Sequence, residues 1–169
     1  MKKCAIILVV LVLFCASGCK YSAYKEYFNE VNDYQDIWEL TGFRHGYDDK
    51  SPLFPKSIDS LNVASFSCRY DEQLPLGEGI QIFLEIVYDD VSFIEETDRI
   101  AKNTSENIEN FEQCGLSARY IRLGQDGCWE YALIDDANKK VYYIFVYNLP
   151  REAIEFEDKF LPDNYVDYE

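Results

Sequence analysis

Ile80-Gln81-Ile82-Phe83-Leu84-Glu85-Ile86-Val87-Tyr88 decides the fold. Every second residue, from Ile80 through Ile86 to Tyr88, is apolar, as a strand with one face in a core requires. The other face carries Phe83 and Val87, so both faces are expected to be covered and the strand to lie inside a sheet. Upstream, Val63 to Tyr70 alternates as well: Ala64, Phe66, Cys68 and Tyr70 share one face, Ser65, Ser67 and Arg69 the other. The polar connection Asp71 to Gly79 joins the two, and an antiparallel hairpin is the expected pairing.

Downstream, the period changes from two to 3.6. Ser92-x-x-Glu95 has the spacing of a capping box, in which serine and glutamate satisfy free amides at a helix start. Phe93, Ile94, Thr97, Ile100 and Ala101 follow as a helical stripe. Glu95 and Glu96 precede Arg99 by four and three residues, a spacing that suits local ion pairs. Asn103 to Gly115 is polar, with Ile108 and Phe111 as core contacts. Three strands are then expected: Ser117 to Leu123, Cys128 to Ile134 and Lys140 to Tyr147. They are rich in aromatic and β-branched residues and are separated by turns at Gly124–Gly127 and Asp135–Asn138, so they read as a meander. Ala153 to Phe160 reads as one short helical turn.

Toward the N-terminus, Tyr24, Tyr27, Phe28, Val31, Tyr34 and Trp38 recur at steps of three and four. This spacing predicts an amphipathic helix over Tyr21 to Leu40, stopped near Gly42. Thr41 to Asn62 has no period and holds Gly42, Gly46, Pro52 and Pro55; Leu53-Phe54-Pro55 is expected to pin this long loop to the core. The expected fold class is α+β: one antiparallel sheet of about five strands with two helices on one face, in the order α-β-β-α-β-β-β. The expected divisions are a leader over 1–18, a helical stalk over 19–41, one α+β domain over 42–162 and a frayed tail over 163–169.

The leader rests on Met1 to Cys19. Lys2 and Lys3 precede an unbroken apolar run of ten residues, Ala5 to Phe14, and then Ala16, Ser17, Gly18 and Cys19. A spanning helix needs roughly 20 apolar residues, so this is the pattern of an export signal with a small-residue cleavage site. Ala16-Ser17-Gly18-Cys19 resembles the lipobox of bacterial lipoproteins. The resemblance implies that Cys19 receives a diacylglyceryl group on sulfur and becomes the new N-terminus, anchoring the chain to the outer face of the cell membrane. Ala16 stands where that family usually has Leu. Ala16-x-Gly18 also suits an ordinary secretory peptidase, whose cut would release a soluble chain. Val63 to Tyr147 is similar to small uncharacterised lipoproteins of Gram-positive bacteria, through Tyr88 to Arg99, Glu130-Tyr131-Ala132-Leu133 and Tyr142-Tyr143. That similarity implies no activity.

Of 169 residues, 31 are acidic and 16 basic, a net charge of −15. Loss of the 18-residue leader with its two lysines leaves 151 residues at −17, a length suited to one domain. Phosphate recognition needs a basic stripe, so nucleic acid is excluded as a ligand. Cys19, Cys68, Cys114 and Cys128 remain after cleavage, with no zinc-binding spacing. Cys68 falls on an apolar strand face and is expected to be a buried thiol. Cys114 and Cys128 are candidates for a disulfide outside the cytoplasm.

No catalytic motif occurs, and neither a cofactor nor a metal is implied. His45, the single histidine, has no Ser, Cys or second His near it in sequence. Asp48-Asp49, Asp89-Asp90 and Asp135-Asp136 are adjacent pairs, whereas glycosidase chemistry needs carboxyls about 5–10 Å apart across a cleft. The aromatic strands could stack sugars or fill a core. Three readings stay open: a non-catalytic binding module for a protein or envelope ligand, a small enzyme acting on wall polymer, and an immunity-type protective lipoprotein.

Overall fold

β1 (Tyr24–Phe28), β2 (Asn62–Gln73), β3 (Gly77–Val87), β4 (Phe111–Gln113), β5 (Leu116–Gln125), β6 (Cys128–Asp135) and β7 (Lys140–Tyr147) form one antiparallel sheet. Its order is β1-β2-β3-β7-β6-β5-β4. The computed structural model describes residues 24–39, 53–73, 77–104, 111–125 and 127–165. The architecture is α+β with a single antiparallel sheet, as the alternation predicts. The β2–β3 hairpin and the β5–β6–β7 meander are both present. β3 has a strand on each side, and Ile80 to Ile86 is buried except at Glu85. That is the reason its apolar residues occupy both faces.

The sheet has seven strands rather than five, and the first extra one corrects the N-terminal reading. Tyr24 to Glu39 is not one helix. Tyr24–Phe28 pairs with β2 from Tyr24 opposite Glu72 to Phe28 opposite Cys68. A 3-10 helix, η1 (Val31–Glu39), follows. Steps of three suit a helix with three residues per turn, and Tyr34 and Ile37, three apart, are the pair that η1 buries. The aromatic strand formers of Tyr24–Phe28 found a ladder partner, and tertiary pairing outweighed the helical spacing. The second extra strand, β4, is joined to β5 by a two-residue turn. Cys114 (φ 57°) and Gly115 (φ 73°) both lie in the left-handed region. Two such residues in succession match the twist of a tight hairpin.

One face of the sheet is covered by η1, by Leu53, Phe54 and Ile58, and by the helix α1 (Asp90–Asn103), which buries Phe93 and Ile100. Leu53 and Phe54 pin the described end of the long loop, as expected. α1 begins two residues before Ser92, the expected cap. Its cap is Asp89, whose carboxylate accepts bonds from the amides of Val91 and Ser92, both at 2.9 Å, while Ser92 Oγ donates to it at 2.8 Å. Serine thus supports the cap instead of forming it.

The other face is covered by the C-terminal segment, which the sequence reading left uncovered. Leu149, Phe160, Leu161 and Tyr165 pack on Phe83, Trp129, Tyr131 and Val146. Two short 3-10 turns, η2 (Arg151–Ala153) and η3 (Asp158–Phe160), shape this strap. The chain stays packed past the expected end at 162: Tyr165 is buried and its hydroxyl donates to Leu149 O at 2.5 Å.

Candidate functional site

Two groups of ionisable side chains lie inside the fold, one on each face. On the α1 face, Tyr143 of β7 donates to Glu96 Oε1 and lies 2.8 Å, hydroxyl to hydroxyl, from Tyr88. Arg99 grips the same carboxylate with Nε at 2.8 Å and Nη2 at 2.6 Å, and Nη2 also donates to Leu53 O at 2.5 Å. Glu96 is therefore the meeting point of the helix, the middle strand and the end of the long loop. Burial pushes the Tyr143 phenol well above its usual 10.0, and the Tyr88 hydroxyl and the Glu96 charge push the same way. Tyr88 is raised by burial first and then by Glu96. Both phenols stay protonated at neutral pH, and Glu96 Oε1 already takes bonds from two donors. Such a network ties segments together and offers no activated nucleophile.

On the strap face, Arg69 and Asp71 project together from β2. Arg69 Nε donates to Asp71 Oδ1 at 2.8 Å and Nη2 to Asp71 Oδ2. Nη1 reaches the strap, at 2.5 Å from Ala153 O and 2.7 Å from Glu155 Oε1. Glu155 also accepts from the Tyr27 hydroxyl at 3.2 Å, and its amide donates to Gln81 Oε1 at 3.0 Å. Arg69 and Glu155 together thus join β1, β2, β3 and the strap. The hydrogen bond to Asp71 holds Arg69 above its usual range.

A second buried acid besides Asp71, Glu130, stands directly opposite Arg122 in the β5–β6 ladder. A bulge between Tyr120 and Arg122 brings Arg119 and Arg122 to the same face, opposite Ala132 and Glu130.

The residues singled out from sequence fall elsewhere. Cys19, His45 and Asp48-Asp49 lie outside the described residues. Cys114 and Cys128 are not joined by a disulfide, and Cys68 is likewise a thiol. Cys114 is exposed in the β4–β5 turn and its Sγ donates to Lys159 O, while Cys128 starts β6 beside the far end of β5. The ten residues of β5, at roughly 3.3 Å each, separate them by about 30 Å, far beyond the ~7 Å limit for a disulfide. Asp89 is the α1 cap, and Asp135 closes the β6–β7 turn by accepting from Asn138 N at 3.0 Å and Nδ2 at 2.8 Å. Trp129, Tyr131 and Tyr143 are core residues and offer no sugar a stacking face. Among the described residues no group of three or more His, Cys, Asp or Glu is placed to hold a metal ion.

Sequence reasoning missed Arg69 as a buried group. Arg69-x-Asp71 on one strand face was the signal, because opposite charges at that spacing stand side by side. Comparison with protein-family models, with curated proteins and with solved structures found no match.

Proposed function

We propose that this chain is a lipid-anchored lipoprotein of the extracytoplasmic face of the cell membrane, acting as a non-catalytic binding module for a protein or envelope ligand. The observation that carries the reading is Met1 to Cys19: two lysines, ten apolar residues and Ala16-Ser17-Gly18 before a cysteine. The module half is supported by the use of the clustered charges. Glu96, Arg99, Arg69 and Asp71 hold segments of the fold to one another. No helix among the described residues is long and apolar enough to cross a membrane. In this reading attachment rests on Cys19. Each buried methylene contributes about 0.8 kcal/mol, and two acyl chains hold a protein where one does not.

The test is the mass of the N-terminal peptide from membrane-derived protein, with detergent partitioning of the native chain and of Cys19→Ser. The expected result is a diacylglyceryl-bearing Cys19 peptide, and a variant that leaves the detergent phase. An intact leader, or a native peptide without lipid, overturns the anchor.

A further inference from the structure

The outward side of α1 carries two large aliphatic side chains in the open. Val91 is 67 % exposed and Ile94 61 %, whereas Phe93 and Ile100 on the inward side are 3 % and 0 %. Residues three apart on a helix are neighbours, so Val91 and Ile94 form one apolar spot. Asp98 lies one turn further along the same side, and Asp90 and Glu95 flank it. All three are exposed. Of the cations on or beside this helix, Arg99 is engaged by Glu96 and Leu53 O, Lys139 stands over the Phe93 ring at 4.9 Å, and Lys102 follows Asp98 by four residues in the last turn, at the C-terminal edge of the rim.

We propose that the outward face of the first two turns of α1, Val91 and Ile94 rimmed by Asp90, Glu95 and Asp98, docks a basic amphipathic segment of another protein. Charge selects the occupant. A second copy of this chain would bring a like-charged rim against the first, and an anionic bilayer repels the same three carboxylates. A segment with two apolar side chains and flanking lysines or arginines satisfies both parts of the surface.

Position in the fold agrees, and here the inference rests on the anchor reading. β1 starts at Tyr24, opposite Glu72, beside the β2–β3 connection. α1 starts at the other end of the sheet, just after Val87, which pairs with Asn62. The ten residues from Asn62 to Glu72 span about 33 Å. Cys19 lies five residues before Tyr24, a reach of at most about 18 Å. The first turn of α1 is thereby presented away from the membrane.

The test uses the lipoprotein in nanodiscs of neutral phosphatidylcholine. The probe is a fluorescent synthetic peptide of lysine and leucine patterned as an amphipathic helix, read by anisotropy. Val91→Ser with Ile94→Ser is expected to weaken binding about tenfold or more, near 1.4 kcal/mol. Asp90→Asn, Glu95→Gln and Asp98→Asn together are expected to weaken it as much and to flatten its salt dependence. A control removing three exposed acids elsewhere, Asp136→Asn, Glu152→Gln and Asp163→Asn, is expected to change it less than about twofold, since charges beyond a Debye length of roughly 8–10 Å are screened. Circular dichroism confirms that each variant keeps its helix. Equal loss in the control shows that the peptide reads net charge only, and overturns the proposal. Native binding by the Val91/Ile94 variant, or equal uptake by empty nanodiscs, overturns it too. The anchor is read separately from the N-terminal peptide mass. If that peptide lacks lipid, the same titration is run on the soluble chain, so the two failures remain distinguishable.

Discussion

Arg69 and Asp71, two residues apart on β2, close a two-pronged ion pair that leaves them only 4 % and 0 % exposed. The pair sits under the strap, and Arg69 extends from it to Ala153 O. Its position makes β2 and the C-terminal segment depend on one another.

Asp71→Ala takes the two-pronged buried partner from Arg69 and leaves it only the half-exposed Glu155 carboxylate. The expected cost is at most about 3 kcal/mol, because Glu155 still pairs with the guanidinium, read as a lower urea midpoint. Arg69→Met combined with Asp71→Leu removes both charges and should be markedly more stable than Asp71→Ala alone. A double variant as unstable as the single one would show that the strap bonds, rather than the under-compensated buried charge, dominate.

Phe160 holds the strap to the sheet, with ring centroids 5.2 Å from Phe83 and 4.9 Å from Tyr142. Phe160→Ala is expected to cost about 3–5 kcal/mol, because a ring is deleted from a site that cannot fully collapse. The check is equilibrium unfolding followed by tryptophan fluorescence, since Trp129 packs in the same cluster.

Gly124 has φ +76°, and an added Cβ would lie 2.9 Å from Trp129 Cζ2. Gly124→Ala therefore meets both a disfavoured backbone region and a ring that is packed on its far side. Roughly 1–3 kcal/mol of destabilisation is expected. Gly115→Ala, with nothing within 4 Å, meets the backbone term alone and should be milder. Thermal melts of the two variants decide the order.

Buried phenols set the alkaline limit. Tyr34, Tyr88, Tyr131 and Tyr143 are all raised above 10.0, first by burial. The folded chain holds these protons more tightly than the unfolded one. Their stabilisation is whole below pH 10 and declines as pH rises beyond it. Phenolate absorbance should show a freely titrating class, then a steep class that coincides with loss of circular dichroism. At the acid end the sign reverses for Asp89, which its bonds from Ser92 hold below 3.8. Its contribution to α1 is present above that value and fades as pH falls through the lowered one. Asp89→Ala should lower the melting temperature at pH 7 and lose that effect in strong acid.

Thiol labelling separates the described cysteines. Cys114 is exposed and should react within the folded state, while Cys68 and Cys128 should wait for unfolding. Burial raises the Cys68 thiol, which keeps it in the unreactive form. Fast reaction at Cys128 would contradict the register of β6.

The strands were readable because their period is local. Ile80 to Ile86 alternates and Phe83 fills the other face, so both the strand and its interior position follow from nine residues. The N-terminal stretch was not, because Tyr24, Tyr27, Phe28, Val31, Tyr34 and Trp38 satisfy a helical spacing as well as a strand followed by a tight helix. Only the partner β2 decides between them. The strap was hidden for a different reason: Leu149, Ile154, Phe156, Phe160 and Leu161 follow no single period, since short 3-10 turns present them one at a time. Arg69 and Asp71 read as a wet face for the same cause, because the segment that dries them lies about 80 residues further on.

β1 enters the sheet at Tyr24 and runs five residues along β2 in antiparallel register. A pull on its first residue, directed along the strand, stretches its whole ladder at once instead of opening it bond by bond. Under the proposed anchor at Cys19, mechanical load would reach the domain in shear, with a sheet margin of only five residues carrying the force.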